Sequence, residues 1–328
     1  MISIVMPIRN AERYLADCLN SILNQNFKNW ELLAVNDHSI DETESILKKY
    51  CAEDDRITYF NNTGKGIIAA LQLAYANSKG NFITRMDADD LMPSEKLETM
   101  YEAVSKNPES LITGKVVYIA EKELFDGYIR YEQWLNKLVD DNCHFQEIYK
   151  ECVIASPCWM ISRMQFEKCG AFSSNRYPED YDLCFRFYEN KTPVVAIAQV
   201  MHIWRDHSTR ASRNDENYAD NAFLEIKLHY FLKLDYNKNE TLVVWGAGKK
   251  AKKIAQQLIQ KNISFSWICN NDKKIGKDIY GKIIEDEKNF FDNNKNYQCI
   301  LNIANISEQE DVKSFLLKLK NVKAFWFC

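Results

Sequence analysis

Four short apolar runs in the first ninety residues, "ISIVMPI", "ELLAVND", "RITYF" and "NFITRMD", alternate with stretches of helical character. This alternation limits the fold more than any other feature of the chain. The runs are rich in β-branched residues, which suit a pleated, buried surface. Between them lie "AERYLADCLNSILNQ", "DETESILKKYCAE" and "GIIAALQLAYANS". In the first, Tyr14, Leu15, Cys18, Leu19 and Ile22 fall on one helical face. In the second, Asp41 and Glu44 stand three apart just after Ser39, the spacing of a capping box. Strand, helix and strand recurring every ~25–30 residues imply right-handed crossovers and a parallel sheet. The predicted class is α/β.

The chain has 328 residues, too many for one small core and enough for two domains. A net charge of −4 gives no global basic field, so nucleic acid is not an expected partner. Ten cysteines are scattered without a CxxC pair, and the opening "MISIVMPIRN" lacks the basic start of a secretion signal. Reduced thiols and a cytoplasmic location are therefore expected. No apolar run approaches the ~18 residues of a membrane span, which leaves peripheral contact with the inner face of a membrane open.

From Pro93, "PSEKLETMYEAVSK" is predicted as a helix and "LITGKVVYIA" as a strand. "GYIRYEQWLNKLV" follows as a helix, and "CWMISR" and "PVVAIAQVMHIWR" as strands. The amphipathic segment "NYADNAFLEIKLHYFLKL" precedes a polar, helix-poor stretch at 235–240. A new strand–helix pattern then starts at "TLVVWGAG". The expected division is 1–238 for the first domain and 239–328 for the second.

In parallel sheets ligands bind beyond the carboxyl ends of the strands. "VND", ending at Asp37, and "RMDADD" both fall at such ends. Asp87, Asp89 and Asp90 repel one another there unless a partner offsets the charge. Asp90, ahead of "LMPSEKL", fits local turn and capping work. Asp87 and Asp89, two apart at a strand end, would project to one side and could face one cation. Hard oxygen ligands suit Mg²⁺ or Mn²⁺, which also bind a ligand's phosphates.

Taken in order, "SIVMPIRNAERYLADCLNSILNQ", "ELLAVNDHSIDET", "GKGIIAAL" and "RMDADD" resemble glycosyltransferase family 2, enzymes of the GT-A fold. The resemblance continues through "YEQWLNKL", "SPCWMISRMQFEKCGAF", "PEDYDLCFR" and "IWRDHSTRAS", over roughly residues 1 to 213. It implies inverting transfer of a sugar from a nucleotide-sugar donor, of which a UDP sugar is the expected kind, to an acceptor hydroxyl. It also implies Mn²⁺ or Mg²⁺ as cofactor.

Carried onto this chain, the resemblance places Pro7, Ile8 and Asn10 against the nucleotide base, with Asp37 hydrogen-bonding it and Lys65 nearby. Arg85 belongs to the donor side in the variant "RMDADD". Asp87 faces ribose and metal and Asp89 is the main metal ligand; His207 is either a further ligand or, like most lone histidines, structural. Arg9 departs from the family's usual aromatic or small residue before the asparagine. Asp180 takes the role of general base, which the chemistry requires because a sugar hydroxyl is a poor nucleophile until its proton is accepted. From sequence alone, Glu179 and Asp180 could equally cap a helix after Pro178. Glu179, Tyr131 and Trp134 are expected on the acceptor side, since aromatic faces stack on sugar rings. Arg205, Arg210 and Arg213 suit either a diphosphate or a solvated basic face. The other histidines show no ligand spacing. A surface glycan or lipid-linked glycan is the acceptor that the family suggests.

"VVWGAGKKA" has the form of a G-x-G-x-x-A fingerprint at Gly246, Gly248 and Ala251, with Asp272 near where an acid would meet a ribose. The second domain, a small Rossmann-like unit, could serve homo-oligomerisation or bind a nucleotide. Two rival functions follow: a nicotinamide-dependent enzyme built on this fingerprint, and a non-catalytic sugar-nucleotide-binding protein.

Overall fold

The computed structural model describes residues 1–120, 123–210, 213 and 223–328. Contacts divide the chain into two compact units, Met1–Gln146 with Cys152–Asn214 and Glu147–Glu151 with Asp215–Cys328.

In the first unit, β1 (Ile2–Ile8), β2 (Trp30–Asn36), β3 (Ile57–Asn61) and β4 (Phe82–Arg85) are joined by helices α1 (Leu15–Leu23), α2 (Thr43–Glu53) and α3 (Ile67–Ala76). After α4 (Lys96–Lys106) come β5 (Leu111–Ala120), α5 (Asp126–Asp141), β6 (Trp159–Ser162), α6 (Arg163–Lys168), α7 (Glu179–Glu189) and β7 (Val194–Asp206). The strand order is β3-β2-β1-β4-β6-β5-β7. Strands β1 to β4 pair in parallel, β6 runs antiparallel to both neighbours, and β5 and β7 are parallel. The early alternation thus forms the parallel half-sheet expected of it. Strands β1 and β2 are buried on both faces, which explains their near-continuous apolar character.

Register aligns the strand ends. Ile8 pairs with Asn36 and Val5 with Arg85, so Asp37 and the acidic cluster share the carboxyl edge of the sheet. Strand β4 stops at Arg85, and 87–90 form a turn in which the Asp90 amide donates to the Asp87 carbonyl at 3.3 Å. The period-two argument for Asp87 and Asp89 therefore does not apply, because neither residue is in the strand.

The capping box before α2 is not formed either. Asp41 accepts from the amides of Thr43 and Glu12 instead, and Glu44 pairs with Lys48 at 3.0 Å. Asp41 turns back toward the loop after β1, so it fixes the spacing of two loops at the sheet edge.

The second unit contains β8 (Thr241–Trp245), β9 (Ser266–Cys269), β10 (Asp278–Ile279), β11 (Lys282–Asp286), β12 (Tyr297–Leu301) and β13 (Val322–Trp326). Their order is β10-β11-β9-β8-β12-β13, all parallel except β10. A core of Val243, Trp245, Ile268, Cys299 and Leu301 fills one face. Helix Leu224–Leu234 groups with this unit although it precedes residue 238. Its Phe231 packs edge-on against Tyr149, Phe325 and Phe327. The first part of the expected amphipathic segment, 217–222, lies outside the described residues, as do Ala211 and Ser212. All ten cysteines are free thiols. Among the described residues no helix is long and apolar enough to cross a membrane.

Candidate active site

Loops leaving β1, β2 and β3 build one side of the carboxyl edge. Asn10 adopts a left-handed conformation, φ 49°, and its Oδ1 accepts from the Ile40 amide at 2.9 Å. Its own amide donates to Ser39 Oγ. Asn10 therefore ties the loop after β1 to the loop after β2. Asp37 is buried at the end of β2. Its carboxylate accepts from Asn62 Nδ2 at 2.7 Å and from the Gly66 amide at 3.0 and 3.1 Å. Gly66 has φ 87°, a conformation that favours glycine, and it opens α3. Pro7 is half-buried, Ile8 buried and Lys65 exposed, all along this edge.

The three aspartates of the turn have separate fates. Asp87 Oδ1 accepts from Arg85 Nε at 2.8 Å. Asp89 Oδ2 lies 3.0 Å from His207 Nε2, whose other ring nitrogen is 2.9 Å from Thr209 Oγ1. Burial pushes the Asp89 carboxyl up, but the His207 hydrogen bond and the Arg210 charge outweigh it and hold the group below its ordinary range. Asp90 is fully buried; its Oδ2 meets His202 Nε2 at 2.9 Å and its Oδ1 accepts the Arg205 amide at 2.9 Å. Asp90 thus pins β7 to the acidic turn, a longer-range task than the local capping expected of it. Burial raises its pKa well above the carboxylate range and drives that of His202 well below the imidazole range.

The arginines at the end of β7 and just beyond it pair with the protein's own acids. Arg205 reaches Asp17 at 3.1 Å and the Asp89 carbonyl. Arg210 lies 4.0 Å from Asp90 and beside the Tyr118 and Trp204 rings, and Arg213 pairs with Asp206.

Helix α7 starts directly after Pro178, with Glu179 and Asp180 in its first turn, where a helix favours negative charge. Neither residue is the N-cap, which is Pro178. Glu179 is 8% exposed and accepts from Arg85 Nη1 at 2.9 Å. Its Oε2 is buried without a hydrogen-bond partner. Arg85 therefore bridges the acidic turn and α7. Asp180 accepts from the Tyr181 amide, and its pKa is pushed up to about 7. Burial is the main cause, Glu179 adds repulsion, and Arg85 opposes both. A small cavity lined by Arg85, Ser156, Trp159, Glu179, Asp180 and Cys184 opens beside these groups.

On α5, Tyr131 and Trp134 stack with centroids 5.7 Å apart, and Tyr131 also stacks on Trp204 at 6.1 Å. The Tyr131 hydroxyl donates to the Cys152 carbonyl. In the second unit, Gly246 and Gly248 line a cavity, whereas Asp272 is exposed and not part of its lining. Sequence reasoning missed Asn62, Asp17 and the Asp90–His202 pair. "NNTG" before Lys65 marked a turn but not the contact between Asn62 and Asp37.

This edge, with an acidic turn at its centre and a carboxyl held near neutrality beside it, sits on an α/β fold of GT-A architecture. The chain belongs to glycosyltransferase family 2, whose model, described as "Glycosyl transferase family 2", matches residues 3–170. It is 31% identical over 218 residues to glycosyltransferase GlyA of Streptococcus pneumoniae, a match covering 65% of this chain and 31% of that protein. It is 29% identical over 240 residues to the putative glycosyltransferase EpsE of Bacillus subtilis, covering 71% and 83% respectively. Among solved structures, S. aureus TarS 1–349 in complex with UDP-GlcNAc shares the fold with a TM-score of 0.54 and 15% identity, covering 78% of this chain and 71% of that one. The mannosyltransferase PcManGT from Pyrobaculum calidifontis, in complex with GDP-Man and Mn²⁺, gives a TM-score of 0.54 at 15% identity, covering 78% and 68%.

Proposed function

We propose that this glycosyltransferase is inverting and metal-assisted, and that it moves a sugar from a UDP-linked donor to an acceptor hydroxyl of a surface or lipid-linked glycan. The observation that carries this reading is Asp180, a carboxyl held near pH 7 at the carboxyl edge of the sheet. A base poised near the working pH combines a useful ionised fraction with enough basicity to accept a proton.

Asp180 would take the acceptor proton as the hydroxyl oxygen bonds to the anomeric carbon and the bond from that carbon to the diphosphate oxygen breaks. Glu179, tethered by Arg85, keeps a buried oxygen facing hydroxyl donors of the bound sugars. Tyr131 and Trp134 offer an aromatic face to the acceptor ring. Asp37, Asn10, Pro7, Ile8 and Lys65 would frame the base and ribose.

Asp89, His207 and Asp87 would hold the cation. Among the described residues no cluster of three or more His, Cys, Asp or Glu side chains forms a complete metal cage. The donors nevertheless suit Mn²⁺ or Mg²⁺, because such ions take one or two carboxylates and complete their shell with substrate phosphates and water. When bound, the ion would supply charge neutralisation for the departing diphosphate. The His207–Asp89 contact supports the fit, since it brings an imidazole and a carboxylate from distant segments together.

The test is the melting temperature with UDP or GDP, with and without Mn²⁺, for the wild type and Asp89→Ala. An increment that Mn²⁺ adds to the UDP shift, and that Asp89→Ala removes, is the expected result. No Mn²⁺-dependent increment with either diphosphate would overturn the reading.

A further inference from the structure

The second unit carries a cavity of about 500 Å³, within the usual range for a small-molecule site. It opens at the carboxyl ends of β8, β9 and β12, where the strand order runs outward from β8 in both directions. This is the topological switch point of the sheet, the general ligand position in open α/β folds. Nothing in the transferase reading uses it.

Three features describe the chemistry of its occupant. First, helix Lys249–Gln260 begins at the cavity, with Gly248 as N-cap. Its first turn holds no acidic residue; instead Lys249 and Lys250 stand at its positive end, and Lys274 also lines the cavity. Cations at a helix N-terminus are unfavourable, and an anion reverses the sign of that interaction. Glu308 is the acidic residue of the lining. Lys274 is held at the mouth by donating to the Ala247 carbonyl at 2.7 Å.

Second, Asn302 lines the cavity at the end of β12, is 5% exposed, and its Oδ1 has no hydrogen-bond partner. Its Nδ2 is directed to the Ile300 carbonyl, and the protein supplies no donor to the amide oxygen. A buried acceptor left unmatched is costly, so a hydroxyl or amine of a ligand would satisfy it.

Third, the two glycines differ. Gly246 has φ 112°, and an added Cβ would lie 2.7 Å from the Asn302 carbonyl oxygen, so the fold itself requires glycine there. Gly248 has φ −78°, and its added Cβ would meet nothing within 4 Å. What a side chain at 248 would occupy is the open approach to the helix N-terminus.

We propose that this cavity binds a nucleoside diphosphate, with phosphate on the helix N-terminus between the three lysines and a ligand donor on Asn302 Oδ1. After β9, where a ribose would lie, the lining is Cys269, Asn270 and Asn271, and an asparagine side chain carries both donors and an acceptor for hydroxyls.

The test is calorimetric titration of ADP, UDP, GDP and NAD⁺ into the full chain in EDTA, which removes metal-dependent donor binding. The variants are Gly248→Asp, Asn302→Ala and Asp89→Ala. Aspartate is a preferred N-cap residue, so Gly248→Asp should melt no lower than the wild type while placing a carboxylate where the phosphate sits. At least one diphosphate should bind with one site per chain. Its affinity should fall at least tenfold in Gly248→Asp, fall in Asn302→Ala, and hold in Asp89→Ala. The proposal is overturned by no binding of any diphosphate, by binding that survives Gly248→Asp, or by NAD⁺ binding tenfold tighter than every diphosphate. Because Asp89→Ala disables only the metal-dependent donor site, failure here is separable from failure of the transferase reading.

Discussion

Asp180→Asn separates two consequences of one half-buried carboxyl. In the native state the Asp180 proton is held up to about pH 7, whereas an ordinary aspartate releases it near 3.8. Between those values the native state binds more protons than the unfolded chain, so stability declines as pH rises through that window and levels off above it. Asparagine keeps the shape and does not titrate. From pH 5 to the native pKa is about two units, so the wild type should lose about 3 kcal/mol relative to the variant between pH 5 and pH 8. Relative to the wild type, the variant is therefore more stable at pH 8 than at pH 5. Catalysis moves the other way, with transfer falling about 10²–10⁴-fold through loss of the base. In the wild type, kcat/KM should rise with pH along an acid limb centred near 7, the pKa of this carboxyl. Urea titrations at both pH values, with donor turnover measured alongside, supply the readout. Parallel stability profiles for the two proteins would refute the account of burial, and turnover within tenfold of wild type would refute the role of base.

Arg85→Met should cost about 3–5 kcal/mol in urea titration, because Glu179 is left buried without its cation. The same change should move the acid limb of kcat/KM upward, since Arg85 holds the Asp180 pKa down; an unmoved limb would count against that coupling. His202→Phe should cost about 1–3 kcal/mol by leaving Asp90 Oδ2 without its nearest partner, and a neutral result would show the pair to be dispensable. Gly246→Ala should destabilise the second unit by about 1–3 kcal/mol or more, given its φ and the close Asn302 carbonyl. Gly248→Ala should not, and equal costs at both glycines in thermal unfolding would remove the distinction drawn between them.

How much of this was legible in the sequence varies with the range of the forces involved. The parallel half-sheet was, because strand and helix periods are local and both faces of β1 and β2 are apolar. Its carboxyl edge followed, since register aligns Asp37 and the acidic turn once the crossovers are right-handed. The capping box was not: Asp41 had a competing partner in the Glu12 amide, 29 residues away in sequence but adjacent across the sheet edge. Nor was the partner of Asp90, because His202 lies 112 residues downstream on a strand whose neighbours no local pattern reveals.

That last pair changes the reason for the crowded aspartates. Like charges at a strand end were expected to await a cation, yet the protein already answers each of the three separately. Arg85 takes Asp87, His207 takes Asp89, and Asp90 is withdrawn into the core with His202. The turn can therefore hold its shape before any ligand arrives, and the proposed cation would have only to compete for the His207–Asp89 contact rather than assemble the site. Such a site is organised in advance, so binding energy need not be spent on ordering it. Asp180, beside them, accepts from the Tyr181 amide and has its pKa raised to about 7, which suits the role of base proposed for it.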